Sequence, residues 1–350
     1  MNYKLISKKI VIEKPDYCSQ NYSYLFDDKL EYVFKQRIAK EYNNVFVSTE
    51  GLVIKKGLLI LGSAENLIGK YDENFYWTHL RKGLEQYIVC SYGKSLNSNQ
   101  LKTDVYFSIH TPWFGYFSWL TTYLPRLLKT HQIHPDYQLI YPNEWRKINY
   151  VNELLSTLPN LSRKEIPIDH HLFVENYYLS PVRPWTSQFI KEDLLLVKNH
   201  LLNFVQTDEF AKRRIYISRK NAARRKITNE EDVIYFLKLH DFEIYCFEDL
   251  SLFDQIKLMA ESSIVISSHG AGLTNLLFMP SESNVIELTP ILTDFRKFRF
   301  PFWRMAKLLE MNYFAVFCEV ESYVESDEYS NDITVNMNEL LSVVRSIIQL

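Results

Sequence analysis

A glycine turn that directly follows an apolar run is the feature that most constrains the fold of this chain. Residues 264–266 are Ile-Val-Ile, residues 268–272 are Ser-His-Gly-Ala-Gly, and residues 273–279 have helix-forming composition. The segment therefore predicts a buried strand, a tight turn and the start of a helix. The first N–H groups of such a helix have no intrahelical acceptor, and the helix dipole favours an anion beside them. We expect a phosphate-binding seat at this turn.

The same change from short apolar runs to helical periodicity repeats along the chain, which is typical of the α/β class. Strands are predicted at residues 104–109, 137–141, 172–179, 214–218, 243–246, 264–267 and 284–288. Helices are predicted at residues 117–129, 144–158, 194–205, 230–239, 252–260, 273–278 and 337–348. Pro125 is expected to kink or divide the first of these helices. The βαβ rhythm predicts parallel sheets with helices on both faces.

Residues 180–184 are the best candidate for a linker, because two prolines within four positions interrupt any regular element. They separate a predicted N-terminal α/β domain (1–182), assigned to the acceptor, from a predicted Rossmann-like domain (183–325), assigned to the donor. The C-terminal helix, within residues 326–350, is expected to pack back on the N-terminal domain.

The first candidate site residues are basic and follow the fourth predicted strand. Five basic side chains lie within residues 219–226. Sheets of this class bind ligands outside the carboxyl ends of their strands, and an arginine fork matches the oxygens of a diphosphate. We therefore expect Arg219 and Arg225 to bind an anionic donor, whereas Lys220 and Arg224 are interpreted as solvated surface charges.

The glycine turn supplies the second group of candidates. His269 is expected beside the bound phosphate, where its ring would stabilise a leaving group. The predicted donor site includes the turn and the start of its helix, namely Gly270, Ala271, Gly272, Leu273, Thr274 and Asn275. A lone Gly-x-Gly is a weak signal, and the alternative is that these glycines only permit close packing of strand and helix.

Carboxylates near strand ends form the third group. Glu248 follows one predicted strand, and Glu287 lies near the end of another. A carboxylate in such a place can accept both hydroxyls of a ribose, as it does in dinucleotide-binding folds. For Glu248 and Asp249 the alternative is capping of the next helix, a role for which Ser251 competes.

His110 is the candidate general base for an acceptor hydroxyl, because the ordinary pKa of histidine lies near neutrality. It ends a predicted strand and opens an aromatic loop, and a purely structural role is the alternative. A second aromatic segment, residues 295–304, is interleaved with basic residues. Base stacking and contact with an anionic lipid surface are open there, but a loop that packs its aromatic rings inward is favoured.

The overall composition excludes several classes of function. A net charge of -2 over 350 residues argues against bulk electrostatic binding to nucleic acid. The cysteines show no metal-ligand spacing, so no metal site is expected. A Rossmann oxidoreductase would need Gly-x-Gly-x-x-Gly after a first strand, and the chain has none. We recognise no signal peptide or membrane-length apolar run, which predicts a cytoplasmic protein and leaves a peripheral contact with the inner face of the membrane open.

Taken together, these residues resemble glycosyltransferase family 61. The resemblance covers about residues 213–316 and rests on the order and spacing of five motifs: Tyr216-Ile217-Ser218-Arg219, residues 225–230, Leu250-Ser251-Leu252 with Gln255, residues 269–280, and Val285-Ile286-Glu287-Leu288. Residues 302–306 with Tyr313 and, more loosely, residues 116–127 are similar to further segments of the family.

The resemblance implies a GT-B architecture, in which two Rossmann-like domains face each other across a cleft and the donor binds mainly to the C-terminal one. It also implies inverting transfer of a hexosyl or pentosyl group from a nucleotide-sugar to a glycan or lipid-linked glycan. No cofactor is expected, and metal is often unnecessary in this architecture. Bacterial members of similar size are commonly assigned to capsular or other surface-polysaccharide synthesis.

Two positions depart from the family pattern. Ser118 stands where many members have histidine, and Thr122 stands where many have an acidic residue. If either group activates the acceptor elsewhere, this chain uses another residue, for which His110 is the candidate. The alternative function is a non-catalytic homologue that binds a nucleotide-sugar or glycan and has lost its acceptor base.

Overall fold

The computed structural model describes residues 5–64, 73–92, 99–111, 114–166, 172–180, 188–208, 212–293, 295, 300–321 and 331–348. The chain divides into two compact units. The first unit comprises Met1–Lys8 and Val33–Gln188, and the second comprises Lys9–Tyr32 and Phe189–Leu350. Most of the predicted linker, residues 181–184, lies outside the described residues.

The first three strands are β1 (Leu5–Val11), β2 (Tyr17–Cys18) and β3 (Glu31–Arg37), and β1 pairs with β3. The first unit contains a mixed sheet with the order β6-β5-β4-β10-β7-β8-β9. Its strands are β4 (Lys40–Val47), β5 (Val53–Lys55), β6 (Leu58–Leu59), β7 (Asn99–Ser108), β8 (Gln138–Pro142), β9 (Arg163–Ile166) and β10 (Leu172–Leu179). Strands β10, β7, β8 and β9 are parallel, whereas β4 runs antiparallel to β10.

The helices of the first unit are short apart from one. They are α1 (Leu61–Ala64), α2 (Glu73–Tyr92), α3 (Tyr116–Ser118), α4 (Leu124–Ile133) and α5 (Asn149–Ser156), with a 3-10 helix at Asn143–Lys147. A π-helical turn, Trp119–Tyr123, joins α3 to α4. The predicted helix, residues 117–129, is thus divided as expected, and Pro125 lies in the first turn of α4, where proline is tolerated.

The second unit is built on a sheet with the order β12-β11-β13-β14-β15-β16. Its strands are β11 (Arg213–Ile217), β12 (Glu243–Tyr245), β13 (Ser262–Ser268), β14 (Asn284–Pro290), β15 (Asn312–Val320) and β16 (Ile333–Thr334). Strands β12, β11, β13, β14 and β15 are parallel, whereas β16 runs antiparallel to β15. The predicted α/β class is confirmed in both units. The facing of two domains across a cleft stays a prediction.

The helices of the second unit are α6 (Lys191–Leu202), α7 (Glu230–Lys238), α8 (Leu252–Ala260), α9 (Pro301–Leu308) and α10 (Met337–Ile348), with 3-10 helices at Ser23–Lys29, Phe247–Asp249 and Ala271–Phe278. The apolar face of α10 does not pack on the first unit as expected. Leu340, Val343 and Val344 are buried in the core of the second unit, together with Ile286 of β14 and Val316 of β15.

The predicted N-terminal domain, 1–182, also needs a correction. Lys9–Tyr32 belongs to the second unit, where β2 pairs in parallel with β15. The indole N–H of Trp303 donates to the carbonyl of Glu13 at 3.0 Å. The Asp16 carboxylate accepts from the backbone N–H of Tyr313 at 2.7 Å. Because β2 has only two residues, it carries no periodicity that a sequence pattern could reveal.

Candidate functional site

The carboxyl ends of β11 and β13 form a topological switch point in the second unit. These neighbouring strands are in parallel register, with Ile217 opposite Ser267. From β11 the chain proceeds to β12 on one side and then to β13 on the other side. The connections therefore diverge at this point and leave a crevice, which is where open α/β sheets bind ligands. Arg219 follows β11 and Gly270 follows β13, so the topology brings the two predicted regions together.

The turn after β13 leads into a helix, as predicted, but its eight residues are in 3-10 conformation. The first amide with an internal acceptor is that of Leu273, which donates to the carbonyl of Gly270 at 3.1 Å. Within the described ranges, the backbone N–H groups of Gly270, Ala271 and Gly272 donate to no acceptor. Unpaired amides at the start of a helix are the kind of group that can bind an anion.

Arg219 lies directly against this turn. Its Nε donates to the carbonyl of Arg225 at 3.1 Å, and its Nη2 donates to the carbonyl of Arg224 at 2.9 Å. Its Nη1 would stand 2.6 Å from a Cβ atom on Gly270. A side chain at position 270 would therefore displace the guanidinium from the place it occupies beside the turn. Nη1 of Arg219 makes no hydrogen bond to any of the described residues.

Buried carboxylate and phenol groups hold Arg219 from behind. Glu230 accepts from the backbone N–H of Arg219 at 3.1 Å and from the hydroxyl of Tyr216 at 2.7 Å. Burial lowers the pKa of Arg219 below its ordinary value, and the charges of Glu248 and Glu230 oppose that shift. The guanidinium remains charged because arginine starts from a very high pKa. A partly buried cation therefore faces the free amides of the turn.

Arg225 reaches the turn from the same loop. Its Nη1 donates to the carbonyl of His269 at 3.1 Å. Its backbone is left-handed, with φ of +59°, a conformation that few residues other than glycine, asparagine and aspartate adopt. This conformation turns the loop back so that its carbonyls meet Arg219. The structure thus places Arg225 at the predicted site, with a contact that fixes the backbone of the turn.

His269 is fixed by a carboxylate, and that carboxylate is Glu287. The ring Nδ1 lies 2.5 Å from Oε1 of Glu287. The hydroxyl of Tyr313 donates to Oε2 of the same carboxylate, and burial followed by the charge of Glu287 raises the pKa of Tyr313 well above its ordinary value. Tyr313 therefore stays a neutral donor. Phe302 packs against the imidazole, with ring centroids 5.2 Å apart.

The predicted contact of Glu287 with a ribose is wrong. Glu287 is only 1% exposed, and both of its carboxylate oxygens are engaged inside the protein. The β-sheet register is the physical cause, because Glu287 pairs with Ser267 on one side and with Ala315 on the other. Its backbone therefore lies within the sheet, short of the strand ends, and its side chain positions His269.

Three of the predicted site residues at the turn are buried behind its unpaired backbone N–H groups. Leu273 and Thr274 are fully buried, as is Asn275. The amide of Asn275 donates to the carbonyl of Gly272 at 3.1 Å and to Gln255 Oε1 at 3.0 Å. The side chains of Leu273 and Asn275 thus stabilise the turn. The buried hydroxyl of Thr274 has no hydrogen-bond partner in the described part of the chain.

Glu248 remains at the edge of the crevice. It lies exposed in the 3-10 helix that follows β12. Its alternative role, shared with Asp249, as a helix cap is wrong, because the hydroxyl of Ser251 accepts from the N–H of Asp254 at 3.1 Å and caps α8. Glu248 is therefore available to a ligand that approaches Arg219.

His110 lies in the first unit, and its surroundings contradict a role as general base. It is 3% exposed, and its Nε2 lies 3.2 Å from the carbonyl of Ser48. Burial lowers the pKa of His110 to about 4, which is far from neutrality. Its ring packs edge-on against Trp145 at 5.9 Å. The structural alternative is thus the one that the geometry supports.

Arg126 fills the corresponding switch point of the first unit, between β7 and β10. The residue is 5% exposed, and its guanidinium donates to the carbonyls of Ser108, Ile109 and Ser180. It also donates to the hydroxyl of Ser180 at 2.9 Å. The Leu-Pro-Arg-Leu segment therefore has a structural explanation, since its arginine ties two strand ends together.

The other sequence candidates fall into two groups. Of the aromatic loop, residues 112–113 lie outside the described residues, Ser118 is half-buried in α3, and Thr122 is buried in the π-helical turn. Of residues 295–304, residues 296–299 lie outside the described residues. Phe300, Phe302 and Trp303 are buried, and the inward-packing interpretation is confirmed for these rings.

Sequence reasoning named Glu230, Gln255 and Tyr313 only as parts of the family resemblance and did not predict that they hold the site from behind. Glu230 is the first residue of α7, where an acidic side chain is typical of an ordinary helix start. Only its distance of eleven residues from Arg219, with β11 just before, could have signalled a contact. Tyr313 stood out only as part of the family resemblance, because its contact with Glu287 depends on the register of three strands.

Two negative findings apply to the described ranges. They contain no group of three or more His, Cys, Asp or Glu side chains placed to hold a metal ion. No helix within them combines the length and apolar character that crossing a membrane requires.

Comparison with known proteins shows which family and which proteins this chain is similar to, and over which part of its length. The family described as Glycosyltransferase 61 matches residues 116–286. The EGF domain-specific O-linked N-acetylglucosamine transferase of Mus musculus is 36% identical over 95 residues, which are 25% of this chain and 18% of that protein. Beta-1,2-xylosyltransferase XYXT1 of Oryza sativa subsp. japonica is 24% identical over 131 residues, or 37% of this chain and 27% of that protein. The chain thus spans less than a third of the length of these relatives.

Among solved structures, the E. coli heptosyltransferase WaaC with ADP overlaps with a TM-score of 0.31 at 11% identity. The overlap covers 61% of this chain and 93% of that chain.

Proposed function

We propose, from the premise that this chain belongs to glycosyltransferase family 61 over residues 116–286, that it transfers a sugar from a nucleotide-sugar donor to a glycan acceptor. The observation that carries the proposal is the contact between Arg219 and Gly270 at the switch point of the second unit. That contact places a charged guanidinium beside three backbone N–H groups without acceptors in the described ranges. A diphosphate is the ligand that such a seat fits best.

The seat accounts for departure of the diphosphate. As the bond between the anomeric carbon and the phosphate oxygen breaks, negative charge develops on that oxygen. Nη1 of Arg219 and the amides of Ala271 and Gly272 are fixed before the reaction, so they stabilise this charge without reorganisation. Such a field can replace a metal ion, and independence from metal remains our expectation.

We assign to His269 the donation of a hydrogen bond to the leaving phosphate. Its Nδ1 faces Glu287, so Nδ1 donates to that carboxylate and Nε2 is the ring nitrogen left for the substrate. Glu287 and Tyr313 fix the ring orientation. We propose that the doubly protonated ring of His269 donates a hydrogen bond from Nε2 to the leaving phosphate, and that Glu248 contacts the ribose.

The finer parts of the assignment rest on the resemblance. Inversion at the anomeric carbon and a role in bacterial capsular or surface-polysaccharide synthesis are implied by it, whereas the relatives reported above are animal and plant proteins. A cytoplasmic location, with peripheral contact at the inner face of the membrane, stays a prediction. A glycan or lipid-linked glycan acceptor is part of the same proposal.

A non-catalytic binding protein is the second candidate. The low pKa and burial of His110 favour it, as do the half-buried Ser118 and the buried Thr122 at the positions that depart from the family pattern. Measured release of nucleoside diphosphate from a nucleotide-sugar separates the two functions. An enzyme releases it in the presence of acceptor, whereas a binding protein only retains the donor.

The first test of the donor seat compares two neighbouring cations. Arg219→Ala should weaken binding of UDP, GDP or ADP at least ten-fold, because a charge-assisted hydrogen bond contributes about 1.5–3 kcal/mol. Lys220→Ala removes an equal charge from an exposed position and should change the affinity less than two-fold. Titration calorimetry on both variants and the wild type measures the difference. Equal losses in the two variants would mean that only net charge matters and would remove Arg219 from the seat.

A further inference from the structure

A second concave site lies in the second unit, beside the last parallel strand. It is a cleft of about 720 Å³ between the segment after β2, the end of β15 and the start of α10. Its size falls within the range of small-molecule pockets. None of the residues in the proposed donor seat lines it.

One wall of the cleft is aromatic. The ring of Tyr22 stacks on that of Phe317, with centroids 4.4 Å apart and an interplanar angle of 15°. Phe317 is 4% exposed, whereas Tyr22 is only half-buried. The pair therefore offers a supported aromatic surface at the cleft, of the kind that packs against the C–H face of a sugar ring.

The rest of the lining is polar and acidic. The side chains of Gln20, Glu319 and Asn338 line the cleft and make no hydrogen bond to the described residues. One carboxylate oxygen of Glu339 accepts from the hydroxyl of Tyr17 at 2.9 Å, and the other oxygen is left for a ligand. These groups supply several acceptors and two amide donors, a set that matches the hydroxyls of a sugar.

The charge of the cleft excludes a phosphate ligand. Two carboxylates, Glu319 and Glu339, face it, and no lysine or arginine appears among the described lining residues. A phosphate would be repelled by both carboxylates. Neutral and amino sugars meet no such penalty, because their hydroxyl and ammonium groups donate hydrogen bonds.

The register of the sheet places this cleft near the proposed donor seat. Glu287 pairs with Ala315 on β15, and Phe317 lies two residues further along the same strand. Because side chains alternate between faces, Phe317 and Glu287 lie on the same face of the sheet. Strand geometry puts their Cα atoms about 8 Å apart, which is a distance that one or two linked sugar residues span.

We propose that this cleft is a carbohydrate subsite, which holds a neutral or amino sugar residue of the acceptor glycan away from the reacting hydroxyl. The proposal rests on the proposed function, since it names the class of acceptor that the transferase takes. The ring of Tyr22, supported from behind by Phe317, stacks on the sugar ring, and Glu319 and Glu339 accept from its hydroxyls.

The test uses the full chain on a printed array of neutral and amino-containing oligosaccharides, followed by calorimetry with the best-bound soluble glycan. Tyr22→Ala and Glu319→Gln should each weaken glycan binding at least five-fold. Glu231→Gln, an exposed substitution of the same kind on α7, is the matched control and should bind like the wild type. Melting temperatures identify loss of folding in Tyr22→Ala, and the exposed Glu319→Gln variant then carries the test.

Three outcomes overturn the proposal. They are the absence of any bound glycan, binding that both cleft variants retain, and preferential binding of spermidine, which would make the cleft a cation site. UDP, GDP and ADP are titrated on the same proteins. Their binding should be equal in all cleft variants, whereas failure of every nucleoside diphosphate to bind the wild type counts against the donor seat and not against the cleft.

Discussion

At the scale of single residues, Gly270 and Arg219 depend on each other. A Cβ atom at position 270 would stand 2.6 Å from Nη1 of Arg219. Because that atom ends a flexible side chain, Gly270→Ala should displace the guanidinium and cost less than about 1.5 kcal/mol of folding stability. We expect the affinity for nucleoside diphosphate to fall about as far as in Arg219→Ala, which calorimetry measures alongside a denaturant titration.

Gly272→Ala provides the comparison. A Cβ atom there would make ordinary contacts, 3.5 Å from Ile217 Cγ2 and 3.8 Å from Phe247. This variant keeps the amide and should lose less affinity than Gly270→Ala. Similar losses in the two variants would contradict the specific contact with Arg219.

His110 makes a prediction about stability and pH rather than about catalysis. Its pKa is about 4 in the folded protein, whereas that of an unperturbed histidine is 6.5. The unfolded chain therefore binds a proton first as the pH falls. The stability that the neutral, buried His110 ring contributes to the folded protein is fully present above pH 6.5 and is lost progressively between pH 6.5 and pH 4. The free energy of unfolding should fall by about 2 kcal/mol between about pH 7 and pH 5 through this one group.

The measurement is urea unfolding at several pH values for the wild type and for His110→Gln. The variant should be less stable at neutral pH, because a packed and hydrogen-bonded ring is removed, but its stability should depend less on pH over this range. Parallel curves for the two proteins would assign the pH dependence to other groups.

At the scale of elements, local patterns predicted most of the regular structure. Helix α8 begins and ends where the sequence predicts, because Ser251 caps its start and the apolar residues keep helical spacing. Strand β10 also has its predicted bounds. In both cases, the information is contained within the segment itself.

Elements whose form depends on distant partners could not be predicted. The π-helical turn at Trp119–Tyr123 and the 3-10 helix at Ala271–Phe278 differ from an α-helix only in hydrogen-bond spacing. The two-residue strands β2 and β16 exist because β15 offers them an edge. Sequence reasoning placed the glycine turn correctly, but it could not tell that such edges would be paired.

The candidate site shows the same division. Arg219 and Gly270 could be placed together because each follows a parallel strand, and such strands end at one edge. The contact of Glu287 with His269 could not, because the sequence does not contain the register of β13, β14 and β15. The pKa of His110 likewise depends on burial by Trp145 and other neighbours far along the chain.

At the scale of the whole molecule, the second unit is assembled from two separate stretches of chain. Phe26 is fully buried, and its ring packs 4.4 Å from Phe300 and 5.0 Å from Trp303. A fragment of residues 189–348 should therefore lack cooperative thermal melting, because it exposes these rings and one edge of β15. Addition of a peptide with the sequence of Lys9–Tyr32 should restore the transition, as followed by circular dichroism.

A fragment that melts cooperatively without the peptide, at the temperature of the intact protein, would contradict this account. A peptide in which Phe26 is replaced by serine is the matched control and should fail to restore the transition. The intact protein provides the reference curve.

The pairing of β2 with β15 also bears on synthesis at the ribosome. Tyr17 leaves the exit tunnel long before Phe314, its partner on β15. Most of the first unit can fold once residue 188 has emerged, whereas β2 must wait until β15 has been synthesised. During that interval its apolar residues need shielding, so chaperone demand should be set by this delayed pairing.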